Sequence, residues 1–402
     1  MDKKSSKKLV WYILFAIITV VMCYLLVVVY FHIVSPNNIT TKLAIWPFNS
    51  TQKIGEMYLD AVVEIDFTIE DDETLESEEK KVVGVNIRQD GYIIAPYNEF
   101  VDCDETTEYK ILTNAGGVYN GAYLYGDKHY NVCVLKVENI ASDQKIKIPF
   151  VSITSVSQGL FSNKQILAIS SPIQTKNVWT GTIVDFELSN IYRETTRDGK
   201  NVVDFVLEDC YSVGLKDGSF TGGAIFDKKG GFLGLSYEDT LEDGSYIIMP
   251  VGGVKNFLEK VIDSYEKNQK YDNKLIKSFI GFDQIELSCF KDAAETNENQ
   301  TDKECFYFNG EFQIFTDELI TYLNSDITGY YLFEALIHND KTIIDANKVI
   351  YAISHNSKTY LIDTKIELFD LLYDVESGDN LTLFFYDVDK LGIERQSASF
   401  MV

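Results

Sequence analysis

Residues 9–31 (LVWYILFAIITVVMCYLLVVVYF) run for 23 residues without a charge, and no other feature limits the chain's options so sharply. At about 1.5 Å rise per residue, a helix of this length covers the roughly 30 Å hydrocarbon core of a bilayer. Lys3, Lys4, Lys7 and Lys8 precede it, so the positive-inside tendency leaves residues 1–8 in the cytoplasm and sends the bulk of the chain to the extracytoplasmic side. A cleaved signal peptide would instead show an apolar region of about 7 to 15 residues ending in a small-x-small site. The run therefore predicts a retained transmembrane helix over 9–31. Residues 32–52 hold two of the six prolines and no clear period, the pattern of a tether that lifts a domain off a membrane.

The 402-residue chain is 46% apolar and 13% aromatic, enough for more than one packed core. Its 36 basic residues against 61 acidic ones leave a net charge of -25. That balance repels nucleic acid and offers no basic stripe to it, so no nucleic-acid partner is expected. Residues 70–79 contain seven acids, too many to bury. They read as a solvated loop, with metal binding the lesser reading. Cys103, Cys133 and Cys210 show no C-x-x-C or metal spacing, and no cofactor or metal is expected. Cys133 lies in an apolar run where a buried free thiol is the ordinary outcome. Asn38, Asn49, Asn299 and Asn380 each open a glycosylation sequon, which matters only in a eukaryotic lumen.

From residue 53 the pattern changes to short strands separated by turns. Residues 82–94 (VVGVNIRQDGYII) read as two strands about an Asp-Gly turn. Residues 218–225 (GSFTGGAI) place a tight glycine turn ahead of an apolar run, and a polar turn then leads to Phe232, Leu233, Gly234 and Leu235. This stretch resembles the nucleophile loop of trypsin-like serine proteases of the HtrA family, with Thr221 standing at the nucleophile. Residues 91–98 (GYIIAPYN) resemble the strand that delivers that family's catalytic histidine, and here Asn98 holds the position. Residues 122–137 resemble the segment carrying its triad aspartate, replaced by Asn131. Residues 165–172, 178–184, 244–250 and 254–262 look like the family's later strands and terminal helix. The resemblance covers residues 53–262 and implies a trypsin-like double β-barrel.

A serine protease needs a hydroxyl beside a base, a carboxylate supporting the imidazolium, and two backbone N–H groups aimed at the oxyanion. Asn98 can orient a water but cannot take a proton near neutral pH. Asn131 carries no charge, and the methyl of Thr221 stiffens its χ1 and crowds attack. Ser219 stands where the family has its oxyanion-loop glycine, followed by Phe220 and by the retained Gly222 and Gly223. Ser219 as a shifted nucleophile is disfavoured because Phe220 and Thr221 intervene before the glycine pair. His129, the one histidine of this region, sits two residues before Asn131 in a strand-entry loop, where a solvated ring is the default over a displaced base.

A charged link over 263–277 leads to a second domain over 278–402. Phe279, Ile280, Gly281 and Phe282 resemble the carboxylate-binding loop of a bacterial PDZ domain. Residues 316–323 resemble its short helix, 329–333 and 347–353 its inner strands, 364–372 its groove helix and 381–386 its final strand. An insertion near 283–315 contains Cys289 and Cys305, which could pair, and a hairpin about Asn309 and Gly310. A PDZ groove adds a peptide as an extra strand while backbone N–H groups hold its terminal carboxylate.

The expected architecture is thus mostly β: a transmembrane helix, a trypsin-like double barrel, then an α+β PDZ-like domain. The expected role is that of an inactive protease homologue binding proteins or peptide C-termini. A weakly active endopeptidase using Thr221 or Ser219 is one alternative, and a structural part of a membrane assembly is the other. The resemblance also implies a homotrimer joined by N-terminal aromatics, for which Trp46, Phe48 and Tyr58 are candidates, although such residues also serve as interfacial belts or core.

Overall fold

The fold was analysed in a computed structural model. It describes all residues except 1–2, 35–36, 41, 43–49, 71–76, 101–102, 104–106, 128–129, 139–147, 154–162, 172, 174–177, 186–190, 198–199, 208–209, 216–222, 229–230, 241–243, 252–253, 268–283, 287–304, 309–310, 315–316, 324, 326, 333–334, 340, 363–364 and 390–391.

Twelve strands build two closed barrels. The first uses β1 (Val62–Glu70), β2 (Ser77–Asn86), β3 (Tyr92–Pro96), β4 (Tyr109–Thr113), β5 (Val118–Asp127) and β6 (Val132–Glu138), in the order β1-β2-β3-β6-β5-β4 with β4 pairing back to β1. The second uses β7 (Gln165–Ile169), β8 (Val178–Ile183), β11 (Tyr211–Leu215), β12 (Ala224–Asp227), β13 (Phe232–Thr240) and β14 (Tyr246–Pro250), in the order β7-β8-β11-β14-β13-β12. Every pairing in both barrels is antiparallel. Ranked along the chain, the strands of the two barrels follow the same circuit, so each barrel is a topological copy of the other. The expected Asp-Gly turn is present, with Gly91 at φ +83° between β2 and β3.

Closure explains why these strands read as unbroken apolar runs where a half-exposed sheet would alternate. Side chains alternate between faces along a strand. In β3, Ile93 and Ala95 point into the first barrel, while Tyr92 and Ile94 join a core shared between the barrels. In β7, Ile166 and Ala168 fill the second barrel, while Leu167 and Ile169 enter the same shared core. Both faces are buried, so both must be apolar. Cys133 points into the first barrel, free and fully buried, and burial pushes its thiol above the ordinary value.

Before the barrels, α1 (Lys3–Val34) is a single helix of 32 residues. Its described side chains, residues 11–26, 28 and 29, are mostly exposed, Trp11 at 71% and Phe15 at 70% among them. Among the described residues no helix is long and apolar enough to cross a membrane. The described part of the expected tether is held down. Asn38 bridges to Phe150, its Nδ2 donates to Ser152 Oγ at 2.9 Å, and Ile39 is buried. The first sequon asparagine is therefore engaged inside the fold.

Helix α2 (Thr51–Leu59) begins at an N-cap, with Ser50 Oγ accepting from Lys53 N–H at 3.3 Å. Its Tyr58 is fully buried, stacks on Phe226 at 4.2 Å and donates to the Asp227 carbonyl at 2.6 Å. Tyr58 is thus a core residue tying α2 to the second barrel, not a surface aromatic free to join subunits. Trp46 and Phe48 lie outside the described residues. Helix α3 (Lys255–Glu266) closes the barrels, burying Phe257, Leu258, Val261 and Ile262.

The C-terminal domain holds a sheet in the order β15-β18-β21-β23-β24, with β22 paired to β21. Its strands are β15 (Gln284–Glu286), β18 (Tyr330–Leu332), β21 (Lys348–His355), β22 (Lys358–Leu361), β23 (Asn380–Asp389) and β24 (Gly392–Met401). Helices α4 (Asp317–Leu323) and α5 (Lys365–Asp374) accompany it, and β19 (Leu336–His338) pairs with β20 (Lys341–Ile344). The strand expected to be final, over 381–386, is not: β24 follows and pairs with β23 along its whole length. The expected hairpin in the insertion exists as β16 (Cys305–Phe308) and β17 (Glu311–Ile314). It joins a hairpin from the second barrel, β9 (Ile191–Arg197) and β10 (Lys200–Leu207), through a parallel pairing of Phe308 with Val203. Cys289 lies outside the described residues.

One bond in this domain carries a pH prediction. Asp379 accepts from the Glu376 N–H at 3.0 Å and contacts His355 Nε2 at 2.7 Å. The backbone donor first, and His355 second, hold its carboxyl below the ordinary aspartate value of 3.8. A depressed folded value means stability that is present above the unfolded value and lost as pH falls through the folded one. Thermal melts of the natural chain should therefore drop further below pH 4 than those of Asp379→Asn. Parallel curves for the two would refute the assignment.

Candidate functional site

The register of the first barrel assembles the centre of the site. Strands β3 and β6 pair with Pro96 opposite Val132, so the residues just beyond that pair, Tyr97 and Asn98 on one side and Asn131 on the other, must meet. A one-turn 3-10 helix (Tyr97–Phe100) follows β3 and carries Asn98 and Glu99. Asn131 sits at φ +47°, a left-handed conformation that asparagine tolerates better than most residues. This conformation lets Asn131 receive two backbone donors. Its carbonyl accepts from Tyr97 N–H at 3.1 Å, and its Oδ1 accepts from Asn98 N–H at 2.8 Å. Asn131 is 5% exposed. The two positions singled out from sequence, 33 residues apart, are in direct contact.

The Asn98 side chain donates from Nδ2 to Glu99 Oε1 at 3.0 Å, while its Oδ1 is buried without a hydrogen-bond partner among the described residues. An amide in that position can donate and accept but cannot carry a proton away. Glu99 is a site residue that the sequence reading missed. Its only signal was adjacency to Asn98.

Gly223 ends the glycine loop at φ +150°, donating to Ser236 Oγ at 2.5 Å and accepting from Ser236 N–H at 2.8 Å. A Cβ on Gly223 would run into the Ile169 carbonyl oxygen, so the backbone at Gly223 lies flush against the end of β7. Thr221, Ser219, Phe220 and Gly222 lie outside the described residues, as do His129 and Phe279, Ile280, Gly281 and Phe282.

Between the barrels, Ser171 donates to Glu64 Oε2 and accepts from Ile173 N–H at 3.2 Å. Glu64 is 1% exposed and has Lys81 Nζ at 3.7 Å. A buried carboxylate held across the seam in this way fixes one barrel against the other. No spacing in the sequence announced the contact with Ser171, which follows a strand of the other barrel 107 positions away. His338 and His355 belong to the C-terminal domain, where His355 is bound to Asp379. Among the described residues no three histidine, cysteine, aspartate or glutamate side chains gather as a metal site.

Two closed six-stranded antiparallel barrels with a shared core between them fit a trypsin-like double-barrel fold. No family model matches the chain, and no curated protein matches it.

Proposed function

We propose that this chain is an HtrA-like serine protease homologue that has lost its chemistry and acts as an extracytoplasmic protein- or peptide-binding module. The observation that carries the reading is the bond from Asn98 N–H to Asn131 Oδ1. Two amides stand together where the resemblance calls for an imidazole and its carboxylate, so those two positions supply neither a base nor a charge to support one. In this reading the uncharged run over 9–31 anchors the chain in a membrane. The C-terminal sheet with α4 and α5 serves as a PDZ-like module, and Phe279 to Phe282 hold a peptide's terminal carboxylate. Homotrimer formation remains part of the proposal by resemblance alone.

The test is hydrolysis of an unfolded casein substrate by the full chain in detergent, beside Asn98→His/Asn131→Asp/Thr221→Ser. The natural chain is expected to match the blank and to escape fluorophosphonate labelling. The triple variant is expected to gain about 10²-fold or more over it, the typical contribution of a positioned general base. Cleavage by the natural chain that Thr221→Ala abolishes would replace this reading with a weakly active peptidase.

A further inference from the structure

Helix α5 of the C-terminal domain does not stand clear of the barrels. It packs on α3, and its Tyr373 is fully buried with the ring 5.5 Å from Phe257 and 6.2 Å from Tyr130. The Tyr373 hydroxyl donates to Asp127 Oδ2 at 2.6 Å, a contact between residues 246 positions apart. Asp127 ends β5 and is itself 0% exposed. Its other oxygen, Oδ1, accepts from Tyr130 N–H at 3.1 Å. One carboxylate thus receives a donor from each domain. The next residue after Tyr130 is Asn131, whose left-handed backbone and Oδ1 hold the Asn98 N–H.

We propose that Tyr373 and Asp127 form a latch through which the C-terminal domain sets the geometry of the Asn131–Asn98 pair. A hydrogen bond to a carboxylate in a water-free setting is among the stronger neutral-donor contacts, and its loss leaves a buried acceptor short of a donor. With α5 in place, Asp127 has a reason to stay buried and to hold the turn through Tyr130. When α5 moves away, Asp127 meets water, the turn loses that support, and the αL conformation of Asn131 is no longer over-determined. Tyr373 is therefore a positioning residue, acting on Asn98 through three bonds. Around the rim, Lys260 pairs with Glu376 at 3.4 Å, an exposed contact that guides docking more than it holds it. The latch concerns the backbone at Asn98, so it holds whether that site binds a peptide, cuts one or does neither.

Hydrogen–deuterium exchange on the full chain in detergent micelles tests it. Tyr373→Phe keeps the ring and deletes only the donor. Exchange at the Asn98 amide and across residues 130–131 is expected to speed up about tenfold, while β8 in the second barrel keeps its natural rate. No change at Asn98, or an equal acceleration in β8, overturns the proposal. Coupling between two places is reciprocal. Asp127→Asn, altered on the barrel side, must therefore speed exchange at the C-terminal end of α5, and this reading stands in should Tyr373→Phe fail to fold. Unchanged α5 amides in Asp127→Asn overturn the latch as well.

Discussion

Replacing Gly223 with alanine is expected to cost the folded state about 3 to 5 kcal/mol, the sum of a forbidden backbone angle and a collision. At φ +150° an L-residue with a Cβ is strained wherever it sits. At Gly223 the new methyl would also meet the Ile169 carbonyl oxygen and the Ser170 Cα. Both belong to the chain that leaves β7 and that β12 pairs with, so neither can step aside without opening the barrel. Gly244 separates the two causes. It also has a positive φ, +79°, but a Cβ there meets nothing within 4 Å. Gly244→Ala should lose only about 1 kcal/mol, the backbone part. Urea midpoints of the two variants measure the difference. Equal losses would mean that the close approach of Gly223 to β7 contributes nothing.

The second large effect is expected at Tyr58. Tyr58→Ala should destabilise by about 3 to 5 kcal/mol, as large-to-small changes in a packed core do. It removes a fully buried ring stacked on Phe226 and the hydroxyl that donates to the Asp227 carbonyl. Tyr58→Phe keeps the ring and should cost only about 1 kcal/mol, the net worth of one hydrogen bond. Against a typical stability of about 5 to 15 kcal/mol, the alanine variant sits near the edge of folding. Urea melts of both variants decide whether α2 is a structural part of the double barrel. A loss below about 1 kcal/mol for Tyr58→Ala would place it outside the cooperative unit.

Local signals carried the elements whose pattern is local. The Asp-Gly turn between β2 and β3, the return strands after the glycine loop and the β16–β17 hairpin lie where the sequence pattern put them, and α3, α4 and α5 where the family resemblance put them, within a few residues. The β9–β10 hairpin was missed although Asp198 and Gly199 sit between its strands, a two-residue turn signal that polar flanks such as Arg193, Glu194 and Thr195 disguised. Strand β24 was missed for a different reason. It is the outer strand of its sheet, its middle residues from Glu394 to Ser397 are exposed, and it lacks an apolar face dense enough to read.

The site divides in the same way. That Asn98 and Asn131 are amides is a property of the sequence, and with it goes the absence of a base at those positions. That they touch depends on β3 and β6 pairing at Pro96 and Val132, a register chosen by burial of both strand faces. Glu64 with Ser171 and Asp127 with Tyr373 were invisible beforehand, since nothing in a sequence ties residues 107 or 246 positions apart.

By itself, then, the sequence determined the chemistry available here: an uncharged N-terminal run, strands built from β-branched and aromatic residues, and asparagines where a triad would need a base and an acid. Which strands close on one another, how the two barrels share a core, and where the C-terminal helix settles were decided only in three dimensions. The physical reason is that periodicity and turn residues act over a few neighbours, whereas barrel closure and the burial of Asp127 depend on surfaces that exist only once distant strands have already met.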